Sequence, residues 1–311
     1  DFVRELEKPG FLTKGPFLDM NGSYKTGRSL RQLMAEGLAS AGFDNLEPVT
    51  EKDRELKVER PLYLHQEQAL LKADAGNNLI VTTGTGSGKT ECFLLPILQA
   101  LLKEEEHGPL DSGVRAILIY PMNALANDQM KRMRKIMKGH KEITFGIYTG
   151  NTEQTEREAK VAYRKSYGPN AQILENELLS RDRMRETPPH ILITNYSMLE
   201  YMMLRPKDDK VFSGAKLRYI ILDEAHVYKG TTGMETAMLM RRLRARISTR
   251  DQVQFILTSA TLGGEDANRE ITQFGYQLCG VDFKEENIIR SQDATPPMRE
   301  WKDYPAELYR K

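Results

Sequence analysis

From Arg60 onward, short apolar runs alternate with stretches of helical periodicity. The runs are 78–82 (NLIVT), 115–120 (RAILIY), 143–148 (ITFGIY), 190–194 (HILIT), 217–222 (LRYIIL) and 254–259 (QFILTS). Each is aliphatic or β-branched and bounded by polar or turn residues, the pattern of strands buried on both faces. Helical periodicity covers 88–103, 121–138, 195–204 and 232–248. Strand–helix alternation of this kind predicts an α/β fold, a mostly parallel sheet with helices on both faces.

Two stretches break the rhythm. Residues 1–59 carry turn chemistry (PGF, KGPF, NGSYKTGRS), then a helical stretch over 29–41 with Leu30, Leu33, Met34 and Leu38 on one face. Residues 50–59 are nearly all charged, so 1–59 reads as an N-terminal extension ending in a solvated connector. Residues 152–189 are also densely charged and read as a helical insertion between two strands, with a solvated face. In the helix after 232, Leu239, Leu243 and Ile247 form an apolar line, with Arg241, Arg242, Arg244 and Arg246 around the remainder. Met130, Met133 and Met137 form a similar core stripe beside Lys131, Arg132, Arg134, Lys135 and Lys138. Both basic sets read as solvated faces before phosphate-binding stripes.

Charge changes little: 45 Lys+Arg against 44 Asp+Glu leave a net charge of +1, which excludes no nucleic-acid partner, because local placement decides that. No apolar run approaches the roughly 18–20 residues of a membrane span, and no basic-then-apolar leader pattern is present. Cys92 and Cys279 are too few for a disulfide framework or a four-cysteine zinc site. His107, His140 and His190 show no ligand spacing, so no protein-bound zinc is expected. A cytoplasmic location is expected from these features.

The strongest chemical signal is the loop V81-T82-T83-G84-T85-G86-S87-G88-K89-T90, between an expected strand and an expected helix. Glycines let backbone N–H groups turn in around phosphate oxygens, and the helix N-terminus adds free donors and its dipole. Thr83, Gly84, Thr85, Gly86, Ser87, Gly88, Lys89 and Thr90 are therefore the expected ATP-binding set. Lys89 supplies a point charge for the outer phosphates, and Thr90 a hydroxyl for Mg²⁺. Thr83 departs from the GxxxxGK[ST] pattern by standing where its first glycine would be.

After the strand ending at Leu222 comes D223-E224-A225-H226. An acid at the carboxyl end of a buried parallel strand faces the ligand crevice. Asp223 is placed to hold Mg²⁺ and Glu224 to orient the attacking water. On its own the pair would read as acids favouring a helix start, but the upstream loop outweighs that reading.

Loop and DEAH together resemble superfamily 2 helicases and translocases, and other first-lobe motifs follow in order. L64-H65-Q66 resembles the Q-motif segment, which implies Gln66 as adenine reader; His65 reads as structural. Y120-P121-M122-N123-A124-L125-A126-N127-D128-Q129 resembles motif Ia, and Y148-T149-G150 motif Ib. T194-N195-Y196-S197-M198-L199 resembles the next strand-contacting motif, and S259-A260-T261 motif III. DEAHVYKGTTGMETAMLMRRLR and TNYSMLEYMMLRP are similar to DEAH helicases with a C-terminal cysteine cluster, a group including YprA-like DNA repair helicases and helicases of the anti-phage systems DISARM and Druantia.

The resemblance implies a RecA-like lobe over 60–281, binding ATP and Mg²⁺ through the residues above. It makes His226 a coupling residue to Ser259 and Thr261. It implies strand contacts from Pro121, Asn123, Thr149, Gly150, Thr194 and Asn195, with helix capping an equal alternative for Asn195. The sequence runs only about 50 residues past S259-A260-T261, so 282–311 reads as an exit linker toward a second RecA-like lobe. The expected activity is ATP-dependent movement on DNA, in repair or phage defence with partner proteins. RNA is the alternative strand, since backbone contacts do not distinguish the two. A non-hydrolysing nucleotide-binding scaffold is the alternative of a different class.

Overall fold

A computed structural model of the chain describes residues 24–46, 56–84, 86–247, 253–260, 262 and 265–294. The first elements are β1 (Thr26–Ser29), α1 (Leu30–Ala35), β2 (Pro61–Tyr63), α2 (Leu64–Asp74), β3 (Leu79–Thr82), α3 (Glu91–Glu105), β4 (Ala116–Tyr120) and α4 (Asn123–Ile136). There follow β5 (Phe145–Tyr148), α5 (Glu156–Tyr167), β6 (Glu177–Leu178), α6 (Arg181–Glu186), β7 (Ile191–Asn195), α7 (Tyr196–Leu204) and the single turn α8 (Asp209–Phe212). The last are β8 (Tyr219–Leu222), α9 (Gly230–Arg246), β9 (Gln254–Ser259), α10 (Asn268–Cys279) and β10 (Ile288–Arg290).

Eight strands form one sheet in the order β10-β3-β9-β8-β4-β7-β5-β6, every pairing parallel. Successive strand residues point to opposite faces. Val81, Leu118, Ile193 and Ile221 pack in one core with Leu70 of α2, Phe93 of α3 and Met133 of α4. Their neighbours Ile80, Ile117, Leu192 and Ile220 pack in a second core with Leu199 of α7, Leu243 of α9 and Ile271 of α10. The continuous apolar runs thus serve two cores at once. Among the described residues, no helix is long and apolar enough to cross a membrane.

The six expected strands are present; five lose one or two residues at their starts, and 254–259 is unchanged. Three departures carry meaning. β10 pairs with β3 (Ile288 opposite Ile80, Arg290 opposite Thr82), so the sheet continues past 281 and these residues are not the expected exit linker. Three residues are too few to show a period.

The insertion is not wholly helical. β6 extends the sheet edge beside Phe145 and Gly146, and its Glu177 is buried against Arg134 of α4, with N–O distances of 2.7–3.0 Å. Charge density hid both the strand and the burial.

The expected helix over 29–41 is only α1. Ser29 and Gln32 form a reciprocal capping box at its start. Gly37, at φ +70°, follows its end, and Leu38 is exposed. Leu30, Leu33, Phe43 and Leu46 are buried in the α3 core, so this part of the extension folds with the lobe. β1 pairs antiparallel with β2, Tyr24 bridges Asp293, and the Lys25 N–H donates to the Gln292 carbonyl at 2.7 Å.

Candidate active site

Because all eight strands run the same way, their carboxyl ends share one edge. The phosphate loop leaves β3, the DEAH segment leaves β8, and Ser259 ends β9. The strand-contact segments leave β4, β7 and β5 on the other half of that edge.

The loop is held from inside. Gly86 and Gly88 sit at φ +79° and +76°, a region that favours glycine. A Cβ on Gly88 would meet Gln66 Nε2 at 2.3 Å. The Thr83 N–H donates to the Ser259 carbonyl at 3.2 Å. The Ser87 hydroxyl bonds the Thr83 hydroxyl (2.7 Å) and the Gly84 carbonyl (2.8 Å), so the threonine in place of glycine buttresses the loop. Thr90 stands at the N-cap of α3, yet its side chain makes no capping bond.

Helix α2 braces the loop from below. His65 Nε2 lies 2.8 Å from the Ser87 carbonyl, and its ring stacks on Tyr63. Burial pushes this imidazole below its ordinary value. Gln66 Nε2 donates to the Gly88 carbonyl at 3.2 Å, and Oε1 accepts from the Tyr63 N–H at 2.9 Å. Gln66, the expected adenine reader, is buried, and both ends of its amide are engaged with the protein.

Lys89 Nζ donates to Glu224 Oε1 at 3.1 Å, bridging loop and acidic motif. Glu224 adopts φ 48°, ψ 48°. Among the described residues no other non-glycine has positive φ, a conformation that costs about 1–2 kcal/mol. It persists because Thr258 holds both acids. The Thr258 hydroxyl donates to Asp223 Oδ1 and accepts from the Glu224 N–H at 3.2 Å. Burial pushes the Asp223 carboxyl above the usual range, and the Thr258 bond pulls it back. His226 Nδ1 lies 3.1 Å from Ser259 Oγ and 3.3 Å from Glu224 Oε2. Glu224 Oε2 itself is buried and makes no hydrogen bond among the described residues. The sequence reading missed Thr258 and the loop-bracing role of His65. The one signal for Thr258 was its place directly before Ser259.

On the other half, Asn195 caps α7, its Oδ1 accepting from the Met198 N–H at 2.7 Å. Its Nδ2 donates to Asn123 Oδ1 at 2.6 Å, joining two strand-contact segments. Pro121, Asn123 and Asn195 are half-buried, and Gly150 is exposed. Thr149 and Thr194, also expected at the strand, are buried. The Thr194 hydroxyl donates to the Tyr148 carbonyl at 2.7 Å. Thr85 and Thr261 lie outside the described residues.

Met130, Met133 and Met137 are buried, as are Leu239, Leu243 and Ile247. The arginines of α9 are engaged by the protein. Arg241 and Arg244 donate to the Gln277 and Gly280 carbonyls, and Arg242 and Arg246 pair with Glu200 and Asp209.

Residues 63–269 match the DEAD/DEAH box helicase family. The Druantia protein DruE of Escherichia coli (strain UMEA 4076-1) is 33% identical, covering 94% of this chain and 20% of that protein. The uncharacterized ATP-dependent helicase YprA of Bacillus subtilis (strain 168) is 32% identical, covering 72% of this chain and 25% of that protein. The chain thus spans only a fifth to a quarter of the length of these curated relatives. A crystal structure of the DUF1998 helicase MrfA bound to DNA and AMPPNP is similar at a TM-score of 0.58, with 25% identity over 88% of this chain and 31% of that one. With its phosphate loop, DEAH segment and parallel sheet, this chain belongs to the DEAD/DEAH box helicase family.

Proposed function

We propose that this chain is the ATP-binding lobe of an ATP-dependent DNA helicase or translocase serving phage defence or DNA repair. The observation that carries the reading is the shared carboxyl edge. Phosphate loop, acids and His226–Ser259 contact occupy one half, and Asn123, Gly150 and Asn195 the other. Similarity to DruE supports a defence role, and the DNA-bound MrfA supports DNA as the strand.

In this reading Lys89 and the N–H groups of the loop hold the outer phosphates of ATP. Thr90 and Asp223 are the residues suited to Mg²⁺, which usually takes one or two protein groups and completes its shell with phosphate and water. The donor set fits: the Thr90 hydroxyl makes no capping bond, and Asp223 has a second carboxylate oxygen beyond the one held by Thr258. Bound there, Mg²⁺ would neutralise charge on the transferring phosphate. Glu224 orients the attacking water through Oε2, while Lys89 moves from Glu224 to the phosphates. His226 relays the change to Ser259 at the end of β9. A second RecA-like lobe would supply an arginine finger, worth roughly 10³–10⁵ in kcat.

The test is steady-state ATP hydrolysis by the full-length protein, with and without single-stranded DNA or RNA, for wild type and Glu224→Gln. DNA-selective stimulation, lost in Glu224→Gln with nucleotide binding retained, is expected. RNA-selective stimulation would replace the substrate, and hydrolysis surviving Glu224→Gln would overturn the mechanism.

A further inference from the structure

The charged insertion contributes a side chain that its charge density concealed. We propose that Arg181 is a positioning residue for strand binding, fixing the turn at Thr149–Gly150 so that its backbone donors face outward. This rests on the reading of that edge as the nucleic-acid surface.

The turn follows β5. The Thr149 N–H donates to Thr152 Oγ1 at 2.9 Å, and that hydroxyl donates to the Ile147 carbonyl at 2.8 Å. Arg181 Nη2 donates to the carbonyls of Thr149 (2.9 Å) and Gly150 (3.0 Å). In a trans peptide the carbonyl and the following N–H point in opposite directions, and no cis bond occurs in the described chain. With both carbonyls turned toward Arg181, the N–H groups of Gly150 and Asn151 point the other way. The clamp also neutralises two carbonyl dipoles that would repel a phosphate. Gly150 is exposed, and apart from its chain neighbours no described atom lies within 4 Å of where a Cβ on it would stand.

Arg181 is itself held rigidly. Its own N–H donates to the Glu153 carbonyl at 3.0 Å, and its guanidinium lies 5.5 Å from the Tyr148 ring centre. The Tyr148 hydroxyl donates to buried Asp208 and accepts from Arg185 Nη2 at 2.8 Å. Arg185 Nε also donates to Asp208, at 2.7 Å. The insertion therefore clamps the turn on one side and, through Glu177 and Arg134, the strand-contact helix α4 on the other.

The test uses the full-length protein carrying Arg181→Gln, with Arg183→Gln as control, since Arg183 is exposed on the same short helix. Binding of an oligo(dT) strand is measured by anisotropy over a salt series, alongside strand-stimulated ATPase. Arg181→Gln is expected to raise Kd about tenfold, in keeping with loss of a charge-assisted hydrogen bond, while Arg183→Gln changes it less than twofold. The slope of log K against log salt stays unchanged in Arg181→Gln, because the guanidinium serves carbonyls and not a phosphate. Arg181→Lys, which keeps the charge, recovers part of the affinity and carries the test if the glutamine variant does not fold. Unchanged affinity, or a slope reduced by the roughly 0.7 of one single-strand phosphate contact, would overturn the positioning role. A wild type that neither binds nor responds to any strand would instead overturn the functional reading on which it rests.

Discussion

Thr258→Val removes one hydroxyl and keeps the branched shape of the side chain. In the native structure that hydroxyl donates to Asp223 Oδ1 and accepts from the Glu224 N–H, so two groups lose a partner at once. Thr258 is fully buried, and no water replaces the bond without a packing change. A hydrogen bond to a charged acceptor contributes about 1.5–3 kcal/mol. If about 2 kcal/mol of that is expressed in the transition state, hydrolysis slows about 30-fold. The acid limb of the pH–rate profile should also move. Burial already raises the Asp223 carboxyl, and Thr258 holds the ionised form. Its loss raises the carboxyl further, so the rate is lost at a higher pH than in wild type. The same raised carboxyl favours folding at low pH, and that contribution disappears as pH climbs from the unfolded value through the folded one. The assay is ATPase at saturating strand from pH 5 to 9, with thermal unfolding as control and Thr258→Ser as rescue. A folded Thr258→Val protein hydrolysing within threefold of wild type, with the same acid limb, would refute the argument.

Two further outcomes follow from buried polar groups. His65 and His190 are held below the ordinary imidazole value of 6.5 by burial, so the unfolded chain binds protons that the folded chain refuses. Stability should therefore fall as pH drops below that value and level off beneath the depressed folded ones; urea midpoints across pH 5–8 check this, and a flat profile would contradict it. Asp208→Ala leaves Arg185 Nε and the Tyr148 hydroxyl without their buried acceptor, Arg185 keeping only the carboxylate of half-exposed Asp182, and should cost about 1–3 kcal/mol, with Arg185→Met restoring part of it in the double variant, read from chemical denaturation.

Strands whose residues face two cores were legible because both faces demand apolar side chains, so Ile117–Leu118 or Ile220–Ile221 admit little else. The phosphate loop and DEAH segment were legible because their chemistry fixes both residue type and spacing. Short strands were not: Glu177–Leu178 and Ile288–Arg290 gain their place from neighbours already in register, a long-range condition that local pattern does not encode. The burial of the motif threonines was hidden for a related reason. Nothing in the motif pattern shows that strand-end geometry turns the Thr194 hydroxyl inward onto the Tyr148 carbonyl. The same inward turn made Thr258 invisible as the residue that holds both acids.

The contact between Tyr24–Lys25 and Gln292–Asp293 gives the lobe a mechanical character. Residues 24–25 and 292–293, far apart in sequence, lie side by side, and the Tyr24 hydroxyl lies 3.6 Å from where a Cβ on Gly84 would stand. A load that pulls Tyr24 away from Asp293 meets this short zipper before it reaches the eight-stranded sheet. The zipper would part first, like a fuse, leaving the Tyr24 ring beside the phosphate loop held only by its edge contacts with Tyr63 and His65. Tension across this contact would thereby register at the nucleotide site while the lobe stays folded.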